Sequence, residues 1–247
     1  MRILGIESSS LVASAAIVED ESLLAEYTLN FKKTHSQTLL PMIDELVNML
    51  GIDLSTVDAV AVSGGPGSFT GLRIGSATAK GLGLALGKPL VAVPTLDAAA
   101  YNLYGAAGLI CPIMDARRGQ VYTGIYRFER EFEIIMEQGA LAVKELADRL
   151  NELGERVIFL GDGVPVHERL LTEILKVPCA FAPAHVNRQR AASVAVLGSI
   201  YYAAGKIVTA GEHRPEYLRK SQAEREREER EAKERESVHL EAGEEFI

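Results

Sequence analysis

The chain has 247 residues, a formal net charge of -8, 47% hydrophobic residues and no Trp. That length gives one domain or two small ones with ample core, in the composition range of an ordinary soluble α/β protein. The mild acidity argues against a protein that grips nucleic acid through its whole surface, and leaves room for an accessory subunit beside a basic partner.

Cys111 and Cys179 lie far apart in sequence and have no CxxC or Cys/His spacing, so they read as a reduced cytosolic pair. Met1-Arg2 runs straight into a strand, so no secretory leader is expected. Charges and turns interrupt every apolar run before it reaches the length of a membrane span. A cytoplasmic location with no membrane contact is the expectation.

Ile3 to Glu7 reads as a short buried strand, Leu11 to Val18 as a second and Leu23 to Phe31 as a third, with a polar hairpin at Ser8-Ser9-Ser10. A helix follows Thr34-His35-Ser36-Gln37 and runs to Leu50, with Thr34 or Ser36 as its cap and Pro41 in or near its first turn. Leu39, Ile43, Leu46 and Leu50 form one apolar stripe, and Met42 and Met49, with Leu46 between them, form a second. One stripe covers the chain's own sheet. The other calls for a further cover, and a partner helix is the expected one.

Val57 to Val62 is a buried strand that leads into Ser63-Gly64-Gly65-Pro66-Gly67-Ser68-Phe69-Thr70-Gly71-Leu72-Arg73-Ile74-Gly75, and a helix then runs to about Leu86. Strand, glycine turn and helix start have the form of an anion cradle. The Walker spacing is absent, so the alternative is a sharp turn that permits close helix packing. Gly71, Gly75, Ala79 and Gly83 stand four apart and stack in one row, which implies close approach by the chain's own backbone or by a partner's helix. Lys88 to Val93 is a fifth strand and Thr95 to Tyr104 a short helix.

The second half repeats the pattern. Strands are expected at Leu109 to Met114, Val121 to Phe128 and Phe132 to Met136, with Asp115 standing where Glu7 stood and a turn at Asp115-Ala116-Arg117-Arg118. A helix at Val143–Leu153, a strand at Arg156–Leu160, a second glycine turn at Gly161-Asp162-Gly163 and a helix at Val166–Leu175 follow. Arg188 to Ala204 is a last apolar helix, and Arg214-Pro215-Glu216-Tyr217-Leu218-Arg219 an extended end segment. From Lys220 Glu and Arg dominate without an apolar stripe, which reads as a frayed helix or a disordered tail. The domain boundaries expected are 1–104, 105–219 with the last helix packing back, and the tail 220–247.

Three strands in a meander that open with an acid and a small polar hairpin resemble the actin/sugar-kinase/Hsp70 architecture. The expected fold is therefore an α/β duplication of two mixed-sheet half-domains flanked by helices. The run Gly64-Gly65-Pro66-Gly67-Ser68-Phe69-Thr70-Gly71-Leu72-Arg73-Ile74-Gly75 resembles the signature of the TsaB (YeaZ) family, with a fainter echo at Pro215-Glu216-Tyr217-Leu218-Arg219.

The resemblance implies a non-catalytic scaffold that pairs with TsaD, with TsaE joining them. The complex transfers threonylcarbamoyl to N6 of adenosine 37 in ANN-decoding tRNAs. TsaD carries a His-x-x-x-His metal pair, and the matching positions here are Thr95 and Ala99, so neither a catalytic residue nor a metal ligand is assigned. ATP and metal then belong to partner subunits, and tRNA is met indirectly through the complex. The expected partner surface comprises Leu39, Met42, Ile43, Leu46, Met49, Gly71, Ile74, Gly75 and Thr78, and the same surface serves a homodimer when the chain is alone. Two enzyme readings stand beside this one. The first is an actin-fold phosphotransferase with a phosphate or nucleotide cleft at Glu7, Ser9, Gly65, Gly67 and Ser68; the second is a glycoprotease-like peptidase.

Overall fold

Two five-stranded sheets repeat one topology among the described residues of this computed structural model, which are 1–31, 33–218 and 230. In the first, β1 (Arg2–Glu7), β2 (Val12–Glu19) and β3 (Ser22–Asn30) form an antiparallel meander, and α1 (His35–Leu50) leads on to β4 (Ala59–Gly65). β4 pairs parallel to β1, α2 (Phe69–Leu86) follows it, and β5 (Leu90–Pro94) pairs parallel to β4, giving the order β3-β2-β1-β4-β5. α3 (Thr95–Tyr101) crosses to the second half.

There β6 (Leu109–Asp115), β7 (Gln120–Phe128) and β8 (Phe132–Ala142) form the second meander. After α4 (Val143–Leu153), β9 (Val157–Leu160) pairs parallel to β6; α5 (Val164–Ile174) and β10 (Cys179–Phe181) complete the order β8-β7-β6-β9-β10. The repeat extends to single residues: β1 and β6 both end on an acid, Glu7 and Asp115. β4 and β9 both run into a glycine at positive φ, Gly65 at 116° and Gly161 at 105°. The expected duplicated fold is present.

The central strands are apolar on both faces because both faces are covered. α1 and α2 cover one face of the first sheet. α6 (Ala191–Ala203), apolar nearly all round, packs against β1, β2 and β4 on the other, with Val194, Ala195 and Leu197 meeting Ile3, Ala59 and Ala61. Residues Met1–Glu216 make one compact unit. A separate unit begins at Tyr217, and the charged tail expected at 220–247 lies outside the described residues apart from Arg230, which is helical.

Three local expectations are corrected. Pro41 is the seventh residue of α1, well inside the helix; it sits on the exposed side, where the carbonyl that loses its N–H partner, on Gln37, faces water. Thr34 is the N-cap by position but makes no side-chain capping bond. β8 does not stop near Met136 but continues to Ala142, because it stays paired with β7 through Gln120↔Ala142.

Candidate functional site

The signature turn and the first hairpin are locked together. The Ser68 N–H donates to the Ser9 carbonyl at 2.6 Å, and the Ser8 hydroxyl donates to the Gly71 carbonyl at 2.9 Å. A Cβ at Gly67 would strike the Ser9 carbonyl, and one at Gly71 or Gly75 would strike Ser8. The close neighbour of Gly71 and Gly75 is therefore the chain's own hairpin.

Three N–H groups of the turn are already used. Gly65 N–H donates to Thr95 Oγ1 at 3.2 Å, Ser68 N–H to Ser9 and Gly71 N–H to Ser68 Oγ at 3.3 Å. Glu7, Ser9, Gly67 and Ser68 do converge, as the cleft expectation required, but the hairpin fills the cradle that the glycines form. Arg73, the cation of the motif, lies over the Phe69 ring with 3.9 Å to its centroid.

The floor beside this lock is acidic. Glu7 is fully buried, and its Oε1 accepts from the Ser9 N–H at 2.6 Å. Burial pushes its carboxyl up to about 7, against the pull of the hydrogen bond from the Ser9 N–H, and the Asp162 charge pushes the same way. Asp162, in the second glycine turn, is raised by its own burial and by Asp115, while Arg188 lowers it. Gln189, also buried, accepts from the Ser10 hydroxyl at 3.1 Å across a separation of 179 residues. No local pattern in the sequence marks Gln189. Ser9 Oγ, Glu7 Oε2, Asp162 Oδ1 and Gln189 Nε2 are buried without a hydrogen-bond partner.

α3 is put to structural use. Thr95 caps Gly65, and Ala99 lies in the core. Asp97 between them is buried and accepts from the hydroxyls of Tyr126 at 2.8 Å and Tyr201 at 3.3 Å, tying α3 to β7 and α6. Burial raises the Asp97 carboxyl against those two bonds. Among the described residues no three His, Cys, Asp or Glu side chains could together hold a metal ion, and no helix is long and apolar enough to cross a membrane. The segment ending at Glu216 straps the signature turn from outside: Glu216 N–H donates to the Gly64 carbonyl at 2.7 Å, and Gln138 Nε2 on β8 donates to the Gly65 carbonyl at 3.3 Å.

The second apolar stripe on α1 does not exist as a surface. Leu39, Met42, Ile43 and Leu46 are all buried in the core formed with β1, β2 and β4. α1 beds between the sheet and α2, so its buried arc takes in both stripes. Met49 stays 77% exposed and Leu40 56% exposed. On α2, Gly71 and Gly75 are buried against Ser8, Ile74 and Thr78 are half-buried, and Ala77, Gly81 and Leu84 are exposed. Ile74, Ala77, Thr78, Gly81 and Leu84 share the outer face of α2, while Leu40 and Met49, nine residues apart, stand on opposite flanks of α1.

A duplicated actin-like fold whose signature turn is filled by its own hairpin defines the class. Residues 22–227 match the family model described as TsaD: tRNA N6-adenosine threonylcarbamoyltransferase. More specifically, the chain belongs to the TsaB (YeaZ) family. It is 34% identical over 229 residues to the tRNA threonylcarbamoyladenosine biosynthesis protein TsaB of Bacillus subtilis, covering 91% of this chain and 96% of that protein. It is 31% identical to TsaB of Escherichia coli, covering 90% and 96%. The solved structure of YeaZ from Pseudomonas aeruginosa superposes with a TM-score of 0.76 at 29% identity, covering 88% of this chain and 99% of that one.

Proposed function

We propose that this chain is a non-catalytic scaffold subunit of the cytoplasmic machinery that makes threonylcarbamoyladenosine in tRNA. It pairs with TsaD, TsaE joins the pair, and the complex transfers threonylcarbamoyl to N6 of adenosine 37 in ANN-decoding tRNAs. ATP and metal are held by the partner subunits, and tRNA is met as part of the complex. The observation that carries this reading is the closed signature turn, where Thr95, Ser9 and Ser68 take up the N–H groups of Gly65, Ser68 and Gly71. A nucleotide-binding relative needs such groups open to phosphate. Thr95 and Ala99, at the positions of the metal-binding pair, lack imidazoles and serve packing.

The pairing surface is the outer face of α2, with Ile74, Thr78 and Leu84, together with the exposed Leu40 flank of α1. Ala77 and Gly81 give a partner's helix room to approach. Without TsaD, two copies meet through the same face, since a two-fold pairing reuses one patch. Light scattering coupled to size-exclusion chromatography tests this on the chain alone and mixed with TsaD from the same source. A heterodimer that replaces the homodimer supports the scaffold reading; no association with TsaD overturns it.

A second reading keeps one observation. A buried carboxyl raised to about 7, like that of Glu7, is suited to general base work in an actin-fold phosphotransferase. Stoichiometric ATP binding by the isolated chain, together with loss of modification in Glu7→Gln despite intact assembly, would favour it over the scaffold.

A further inference from the structure

The turn between β6 and β7 holds two arginines in a backbone that arginine avoids. Arg117 has φ 64° and Arg118 φ 56°, and Gly119 follows at φ 71°. Left-handed backbone crowds the Cβ of an L-residue against the following carbonyl oxygen, and Asn or Gly would fill these positions more cheaply. Neither side chain is packed. Arg117 is 89% exposed in its side chain and reaches Asp115 only at 3.9 Å. Arg118 is exposed and makes no hydrogen bond or ion pair among the described residues.

Arg2, Arg127, Arg149, Arg169 and Arg190 each pair closely with a carboxylate, whereas Arg118, like exposed Arg130 and Arg156, has no ion pair among the described residues. The turn is also braced: Asp115 Oδ1 accepts the Arg117 N–H at 2.9 Å, and the Gly119 carbonyl accepts the Val143 N–H at 3.2 Å. The second bond brings exposed Lys144, on the first turn of α4, to the same corner. A strained, braced basic tip, whose one ion pair is the 3.9 Å contact of Arg117 with Asp115, has no role in packing on a chain of net charge -8.

We propose that the Arg117-Arg118 tip, with Lys144 beside it, is a direct contact for the phosphate backbone of tRNA. The inference rests on the scaffold reading, which brings an RNA into the complex. Arginine forks match phosphate geometry, and local charge decides such a contact, because the screening length near 8 Å hides the distant acidic surface. The contact positions the RNA and reads no base.

The test compares the wild-type chain with two double variants in complex with TsaD, using unmodified tRNA over a salt series. Arg117→Asn/Arg118→Gly relieves the backbone and removes the charge; Arg117→Lys/Arg118→Lys keeps the charge. The first variant is expected to raise Tm by about 2–6 °C, to pair with TsaD as the wild type does, and to bind tRNA about tenfold more weakly, with a salt slope shallower by about 2. The lysine variant is expected to keep most of the affinity. Unchanged tRNA affinity in the first variant overturns the proposal, and so does loss of TsaD pairing, which would make the tip a protein contact. Failure of the wild-type chain to join TsaD sinks the scaffold reading instead. In that event the same variants are compared as isolated chains at low salt, where equal tRNA affinity overturns the contact itself.

Discussion

The Ser68 N–H donates to the Ser9 carbonyl at 2.6 Å, so the β1–β2 hairpin sits in the mouth of the glycine turn that the sequence offers to an anion. The lock depends on missing side chains. Gly71 lies inside α2, where exchange for Ala ordinarily stabilises a helix by about 1 kcal/mol. Here the new Cβ would meet the Ser8 carbonyl, and overpacking against backbone costs about 1–3 kcal/mol. Gly71→Ala is therefore expected to lower Tm. Gly81, on the same helix, has open space around its missing Cβ, and Gly81→Ala is expected to raise Tm. Thermal denaturation of the two variants side by side checks the sign of each.

Glu7 makes stability depend on pH. Its carboxyl is raised from an ordinary 4.5 to about 7 by burial, so the folded state holds a proton that the unfolded state releases. The native chain binds more protons between these values, and stability is lost as pH rises from about 4.5 through about 7. The span corresponds to roughly 3 kcal/mol at most. Glu7→Gln keeps an acceptor for the Ser9 N–H and removes the charge. It is expected to flatten the pH dependence and to exceed the wild type in stability at pH 8. Urea unfolding at pH 5 and pH 8 measures both; parallel pH profiles for the two proteins would show that Glu7 does not titrate in this way.

The same residues show what can and cannot be read from a sequence. The duplication was legible because each half carries its own meander of apolar strands, with an acid ending the first strand and a glycine turn after the fourth. The glycine row Gly71, Gly75 and Gly83 was legible as a demand for close approach, whereas the occupant, Ser8 for the first two, is set by tertiary packing. β10 covers only Cys179–Phe181, too short for any period to show. Met42 and Leu46 read as surplus apolar residues because a helical stripe gives the angle of a side chain but not the width of the arc that neighbours will bury. The link from Ser10 to Gln189 spans most of the chain and has no local trace.

Asp97 carries a different burden. It is the acceptor for two tyrosine hydroxyls that reach it from β7 and α6. Asp97→Ala would leave the buried Tyr126 hydroxyl without a partner, at a cost of about 1–3 kcal/mol, and would add a small cavity. The variant is expected to lose about 2–4 kcal/mol. Asp97→Asn, which retains an acceptor oxygen, is expected to lose less. Chemical denaturation ranks them, and equal losses would mean that the hydrogen bonds contribute little beyond packing.

The buried stripe of α1 separates pairing from folding. Met42 and Leu46 lie in the core with Leu39 and Ile43, so Met42→Glu places a charge where there is neither water nor a partner. That variant is expected to unfold the chain and to lose TsaD pairing only as a consequence. Leu40 is more than half exposed on the same helix, and an exposed substitution there usually changes stability by no more than about 0.5 kcal/mol. Leu40→Arg is therefore expected to keep the Tm of the wild type while weakening association with TsaD. Circular dichroism melts followed by chromatography of the mixture distinguish the two effects. A folded Leu40→Arg chain that pairs at full strength would move the interface off the Leu40 flank of α1, and a folded Met42→Glu chain would contradict the packing of that helix.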